Sequence, residues 1–187
     1  MLGYMSEQEK VLGRLSKFTA FATLGVIGTT QDIVRLTLKN LDGAVPENVA
    51  EESLCLVATA TARAAEVGLR QEGAVASVVS PTVMDLPFAY RDYLIGGAMI
   101  NRRDTSLLDA NEAAYRRLQE KRDYYKQHFP ENQFPGPSKV KEIMEVWLAR
   151  VAPGGAPDAT TERLEQLGVF PQLMTHLKLI LAFGRQG

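Results

Sequence analysis

The sequence predicts an all-α protein: one domain over residues 1–187, built of about six to eight helices packed as a bundle or an irregular array. Apolar side chains recur at helical spacing through most of the chain. Pro and Gly residues stand where helices are expected to begin and end. One valine-rich stretch favours an extended chain, but an isolated strand cannot form a sheet.

The first helix is predicted to begin with a capping box, because Ser6 is followed three residues later by Glu9. Helical apolar spacing then continues through the next five turns or so. Gly25 and Gly28 weaken a helix. We therefore expect an interruption there and a restart within residues 29–32.

The second helix is predicted to be the central and most enclosed one. Pro46 suits its first turn, and residues 53–65 contain a single charged side chain, that of Arg63. Residues 74–84 are expected to form an ordered connection with a helical turn near Pro81, since valines favour extended backbone and proline interrupts it.

Five helical segments are expected in the rest of the chain. They are residues 86–101, a helix from about Asp104 to Phe129, residues 138–151, a turn capped by Thr160 or Thr161, and a final helix from Pro171.

The helix ending at Phe129 carries a seam, a line of residues spaced three and four apart. Its members are Leu108, Asn111, Tyr115, Leu118, Arg122, Tyr125 and Phe129. Polar residues on such a line can fix register between helices, and Tyr and Arg are enriched at interfaces. We therefore expect a homodimer contacting through Tyr115, Leu118, Arg122 and Tyr125. The alternative is packing within one chain, with Arg122 reaching solvent.

The same region contains seven basic residues, Arg102, Arg103, Arg116, Arg117, Lys121, Arg122 and Lys126. Acidic residues lie among them, and the whole chain has a net charge of −1. We expect a solvated face with many salt bridges, and no binding of nucleic acid.

A pocket for a small anionic ligand is predicted near the 86–101 helix, between it and the seam helix, the one that ends at Phe129. Arg91 or Arg102 would contact the anion, and Tyr90 or Tyr93 would orient it. The paired glycines 96–97 allow a close approach to this helix. Ordinary helix packing is the alternative explanation for the same residues.

No motif for catalysis, metal binding or a cofactor is complete. The chain contains two histidines, His128 and His176, and one cysteine, Cys55, which cannot supply the four ligands of a closed zinc site. Cys55 lies among apolar residues and is expected to be an inert buried thiol. We therefore expect no catalytic residue, no metal ligand and no cofactor.

The resulting functional hypothesis is a non-enzymatic helical interaction or regulatory protein, acting as a cytoplasmic homodimer or with another protein partner. No segment approaches the uninterrupted apolar length of a membrane span, so none is expected. The alternative hypothesis is a helical small-molecule-binding protein or enzyme, with an anion-accepting pocket near the 86–101 helix.

Overall fold

The computed structural model describes residues 6–93, 107–134, 136–152 and 161–186, which form helices joined by turns and short connections. No strand occurs within these ranges, so the predicted all-α class is confirmed. The helices are α1 (Glu7–Asn40), α2 (Pro46–Gly68), α3 (Gly73–Met84), α4 (described over residues 86–93), α5 (Leu107–His128), α6 (Pro137–Val151), α7 (Thr161–Leu167) and α8 (Val169–Arg185).

Helix α2 lies at the centre of the array, as its composition predicts. Every residue from Glu51 to Ala65 is buried, and α2 packs against α1, α3, α5, α6 and α8. Leu56 on α2 and Trp147 on α6 are both fully buried. The core is therefore arranged around one enclosed helix, and the site described below lies along one side of it.

Helix α1 is one uninterrupted helix of 34 residues, so the expected interruption near Gly25 and Gly28 is wrong. The predicted capping box is present, with Ser6 Oγ accepting from the Glu9 N–H at 3.2 Å. Gly25 lies against the imidazole of His176, where a side chain would not fit. This glycine therefore serves close packing between α1 and α8 rather than ending the helix.

Residues 73–84 form the helix α3, so the expected connection with a single helical turn is also wrong. Val75, Val79 and Val83 are buried, and their spacing of four residues places them on one helical face. This face packs against α1 and α2. Burial of these valines against other helices thus outweighs the preference of valine for extended backbone. Pro81 lies inside the helix.

Helix α1 is also long and apolar enough, by length and composition alone, to cross a membrane. In the folded chain its side chains Phe18, Val26 and Ile33 are buried, and the helix packs against α2, α3 and α8. A core helix of a soluble protein meets the same criteria. The absence of a membrane span therefore stays a prediction.

Candidate functional site

A cavity of about 610 Å³ lies between α1, α2, α4 and α5. This volume is within the usual range of small-molecule pockets. The lining side chains are Ile27, Thr30, Gln31, Val34 and Arg35 of α1, Glu47, Ala50, Glu51 and Leu54 of α2, Leu86, Tyr90 and Arg91 of α4, and Leu118 of α5.

The α1 wall depends on the continuity of that helix. Ile27, Gln31 and Val34 are separated by four and three residues, so an unbroken helix places them on one face. Ala50 and Leu54 on α2 have the same spacing and form the adjacent wall. The apolar members of both walls face the cavity, and the surface of the cavity as a whole is mostly apolar.

Arg91 has incomplete hydrogen bonding on the cavity wall. Its Nε is buried and has no hydrogen-bond partner within the described residues. Within the described part of the chain its carboxylate partner is Glu47, whose Oε1 is 4.0 Å from Arg91 Nη1. A guanidinium can donate two parallel hydrogen bonds to one carboxylate or phosphate group. Arg91 can therefore donate hydrogen bonds to an anionic group that enters the cavity.

Other charged side chains of the wall have closer partners. Glu51 accepts hydrogen bonds from Lys121 Nζ at 2.8 Å and from Arg117 Nη2 at 3.2 Å. Burial opposes the ionisation of Glu51, but these two cations hold the pKa of its carboxyl below the ordinary value. Arg35 donates to Asp32 at 2.9 Å. Arg91 is thus the cation of this wall whose partner is most distant.

A buried ionic network lies beside the cavity and joins α2, α5 and α6. Glu52 is 2% exposed and accepts from Tyr125 Oη at 2.7 Å. Arg150 donates to both carboxylate oxygens of Glu52, at 2.8 and 2.9 Å. Burial raises the pKa of Tyr125, and the hydrogen bond to Glu52 raises the pKa of Arg150. The hydrogen bonds of Glu52 therefore join α2 to α5 and α6, and α2 and α5 both contribute lining residues to the cavity.

Lys121 was expected to lie on a solvated basic face. In the structure its side chain is buried. Its Nζ donates to Asn48 Oδ1 at 2.9 Å as well as to Glu51. The ammonium group is buried because acidic and amide side chains on α2 surround it. Sequence reasoning missed this role, since the matching acids lie about seventy residues earlier in the chain.

The structure brings together part of the predicted ligand-binding set. Tyr90 and Arg91 line the cavity, whereas Tyr93 is 77% exposed and is not among the lining residues. Arg102 lies outside the described residues. The predicted pocket was placed between the 86–101 helix and the seam helix. Among the described residues, most of the lining side chains come instead from α1 and α2.

The four predicted interface residues have partners within their own chain. Leu118 and Tyr125 are buried. Arg122 donates to Asp85 at 2.9 Å, and its guanidinium lies 4.7 Å from the centre of the Phe88 ring. A homodimer stays a prediction. Tyr115 and Arg122 are the two residues of this set that are not buried, so a contact through α5 would have to use them.

Tyr115 has an intrachain hydrogen bond that also marks the α4–α5 contact. Its hydroxyl donates to Asp92 Oδ2 at 2.6 Å. This hydrogen bond raises the pKa of the Tyr115 hydroxyl to about 12. The phenol therefore remains protonated near neutral pH and acts as a donor that positions α4 beside α5.

The cysteine and histidines have structural surroundings. Cys55 is buried, and burial raises the pKa of its thiol well above the ordinary value. His128 Nδ1 lies 2.8 Å from the Tyr124 carbonyl oxygen near the end of α5. In the described part of the chain, no three or more His, Cys, Asp or Glu side chains are grouped so that they could bind a metal ion.

The α1 and α2 lining residues were not predicted from the sequence. Ile27, Thr30 and Val34 follow Gly25, where an interruption was expected, so they were not recognised as one face. Their spacing was the available signal, because it fits a helix that continues through both glycines. Ala50 and Leu54 gave no distinguishing signal, since they look like ordinary core positions.

A scan against protein-family models and searches of the curated proteins and of the solved structures find no match to this chain.

Proposed function

We propose that this protein binds a small organic molecule with an apolar body and one anionic group. The observation that carries the proposal is the position of Arg91 in the wall of the 610 Å³ cavity, with its buried Nε unpartnered within the described residues. The rest of the wall supplies mostly apolar contacts. Such a combination of apolar walls and one orienting polar group is typical of ligand pockets.

The apolar body of the ligand would contact side chains from all four helices. These side chains are Ile27, Val34, Leu54, Leu86 and Leu118. Burial of apolar surface contributes roughly 25 cal/mol per Å² removed from water. A hydrocarbon or aromatic body is therefore the source of affinity, and the anionic group determines its orientation.

The anionic group would bind Arg91 and compete only weakly with Glu47. The contact between Glu47 and Arg91 is long, at 4.0 Å, and Glu47 also accepts from Arg117 Nη2 at 3.3 Å. Glu47 is largely exposed, so its carboxylate remains hydrated when Arg91 turns to a ligand. The ligand anion thus replaces the long contact between Arg91 and Glu47 with a charge-assisted hydrogen bond to Arg91.

Binding rather than chemistry is proposed because the hydroxyl of Thr30 is hydrogen-bonded to neither Glu47 nor Glu51, the lining carboxylates that could act as its base. The cavity wall contains Thr30 as its one hydroxyl besides Tyr90, and it contains neither histidine nor cysteine among the described residues. Nucleophilic catalysis needs an activating base within hydrogen-bond reach of the nucleophile.

Fluorescence titration with anilinonaphthalenesulfonate tests the proposal, because this probe combines an aromatic body with one sulfonate. We expect saturable binding with increased emission. The variant Ala50→Phe places a ring in the cavity and should abolish this signal. Ala113→Phe, at an exposed position of α5, is the matched control and should bind like the wild type.

Equal probe binding by Ala50→Phe and Ala113→Phe, with both variants folded by circular dichroism, would contradict the proposed site. Absence of saturable binding by the wild type would contradict the proposed function.

A further inference from the structure

A second cavity, of about 390 Å³, lies between α2, α3 and the connection from α5 to α6. Its wall is mostly polar, in contrast to that of the larger cavity. Arg63 and Glu66 come from α2, Arg70 comes from the turn between α2 and α3, and Glu131 and Asn132 come from the connection. None of these residues belongs to the site described above, so the cavity requires its own explanation.

Arg63 is buried in this wall with one edge of its guanidinium incompletely bonded. The residue is 3% exposed, and its Nη1 donates to Glu66 Oε1 at 2.7 Å. Its Nη2 donates to Glu131 Oε1 at 3.3 Å, and the Glu131 side chain is 69% exposed. The buried Nε of Arg63 has no hydrogen-bond partner within the described residues. The edge formed by Nε and Nη2 therefore makes one hydrogen bond within the described residues, the long one from Nη2 to Glu131.

The carboxylate of Glu66 is already engaged and does not complete this edge. Besides Arg63 it accepts from Ser80 Oγ at 2.6 Å and from the Asn132 N–H at 3.2 Å. These donors fix Glu66 on the Nη1 side of Arg63 and offset its charge. The Nε–Nη2 edge of Arg63 therefore keeps an unfilled donor, Nε, beside the long contact to Glu131.

The N-terminus of α3 contributes to the same cavity. Gly73, the first residue of α3, lines it, and no side chain caps this helix end. An atom placed at the Cβ position of Gly73 would meet nothing within 4 Å, so there is space beside the helix end. Helix N-termini favour anions. Arg70, which is exposed, adds a second cation nearby.

We infer that this cavity binds a phosphate group, which takes the place of Glu131 on the Nε–Nη2 edge of Arg63. Planar bidentate binding of an oxyanion by arginine uses such an edge. Arg70 and the start of α3 then supply further positive potential. The volume exceeds that of inorganic phosphate, so the site also accommodates a small phosphorylated molecule.

Isothermal titration of the folded chain with inorganic phosphate, at constant ionic strength, tests the inference. We expect saturable binding that becomes about tenfold tighter in Glu131→Gln, since the competing carboxylate is removed. Arg63→Lys keeps the charge but removes the bidentate edge, and it should weaken binding about tenfold or more. Arg70→Gln should also weaken binding, whereas Arg116→Gln, on the exposed face of α5, is the control and should not.

The inference is overturned if neither the wild type nor Glu131→Gln binds phosphate saturably, or if Glu131→Gln does not bind it more tightly. Binding by a folded Arg63→Lys variant equal to that of the wild type would overturn it as well. Should Arg63→Lys not fold, Glu131→Gln and Arg70→Gln decide, because both change side chains that are exposed. A parallel titration with glycerol phosphate distinguishes free phosphate from a phosphorylated molecule as the tighter ligand.

Discussion

Gly25 of α1 lies directly against the imidazole of His176 on α8, and a Cβ atom placed on Gly25 would be 2.6 Å from His176 Cε1. The same ring also contacts α2, where Thr61 Oγ1 lies 2.7 Å from His176 Nε2. Thr61 donates its hydroxyl hydrogen to the Val57 carbonyl oxygen at 2.6 Å, so it accepts from the imidazole. The His176 ring therefore donates from Nε2, and it joins three helices.

The first prediction concerns the two glycines of α1. Gly25→Ala should lower the free energy of unfolding by about 1–3 kcal/mol, because the added methyl group overlaps the imidazole. Gly28→Ala is the matched control, since nothing lies within 4 Å of its Cβ position. It should raise stability by up to about 1 kcal/mol through helix propensity. Urea unfolding of both variants measures the difference, and a neutral Gly25→Ala would contradict this packing.

The second prediction concerns the pH dependence of stability. Burial lowers the pKa of His176 from 6.5 to about 4. Above pH 6.5 the imidazole is neutral in both the folded and unfolded states, so it adds no pH dependence. As the pH falls from 6.5 to 4, only the unfolded state takes up this proton, and stability falls by about 3 kcal/mol.

The variant His176→Gln removes this titration. We expect the stability difference between the wild type and His176→Gln, measured by urea unfolding at each pH, to shift in favour of the variant between pH 6.5 and 4. A difference that stays constant over this range would show that His176 is not buried in the neutral form.

The third prediction concerns the buried network at Glu52. Arg150→Leu removes the bidentate partner of a carboxylate that is almost fully buried. The free energy of unfolding should fall by about 3 kcal/mol, which is the low end of the range for breaking a buried ion pair. The loss is at the low end because Lys121 Nζ remains 3.7 Å from Glu52. Arg116→Leu, on the exposed face of the same array, should change stability by less than about 0.5 kcal/mol. Equal losses in the two variants would argue against the network.

The fourth prediction tests the central position of α2. Leu56→Ala should cost about 2–5 kcal/mol, the range for truncating a fully buried leucine. Leu24→Ala, at an exposed position of α1, is the control and should cost much less. Thermal unfolding followed by circular dichroism compares the two variants. An unchanged midpoint for Leu56→Ala would be inconsistent with an enclosed α2.

The sequence predicted those elements whose local composition and tertiary environment agree. Helix α2 was identified as central because its middle holds one charge, and the Ser6 cap follows from its spacing to Glu9. Helix α3 could not be predicted, since the helical burial of Val75 and Val79 against α1 and α2 opposes their local preference. The interruption at Gly25 was predicted wrongly for a similar reason, because His176, whose ring packs against this glycine, is distant in the sequence.

The candidate site was predictable only in part. Tyr90 and Arg91 were identified from one aromatic and basic segment beside a pair of glycines. The remaining walls bring residues of α1 and α2 against α4, and no local pattern encodes that juxtaposition. Tyr115, Leu118, Arg122 and Tyr125 were expected to contact a second chain, and that contact stays a prediction. Within its own chain Arg122 pairs with Asp85, a partner that the sequence spacing alone does not reveal.

The measurement that tests the central claim most directly compares octanoate with octanol as ligands of the wild type and of Arg91→Leu, by isothermal titration. The two ligands share an apolar chain and differ in the anionic group. The wild type should prefer octanoate at least about tenfold, as expected for a charge-assisted pair. Arg91→Leu should lose this preference while still binding octanol, because the apolar walls remain. An undiminished preference for octanoate in Arg91→Leu, or no binding of either ligand by the wild type, would contradict the account.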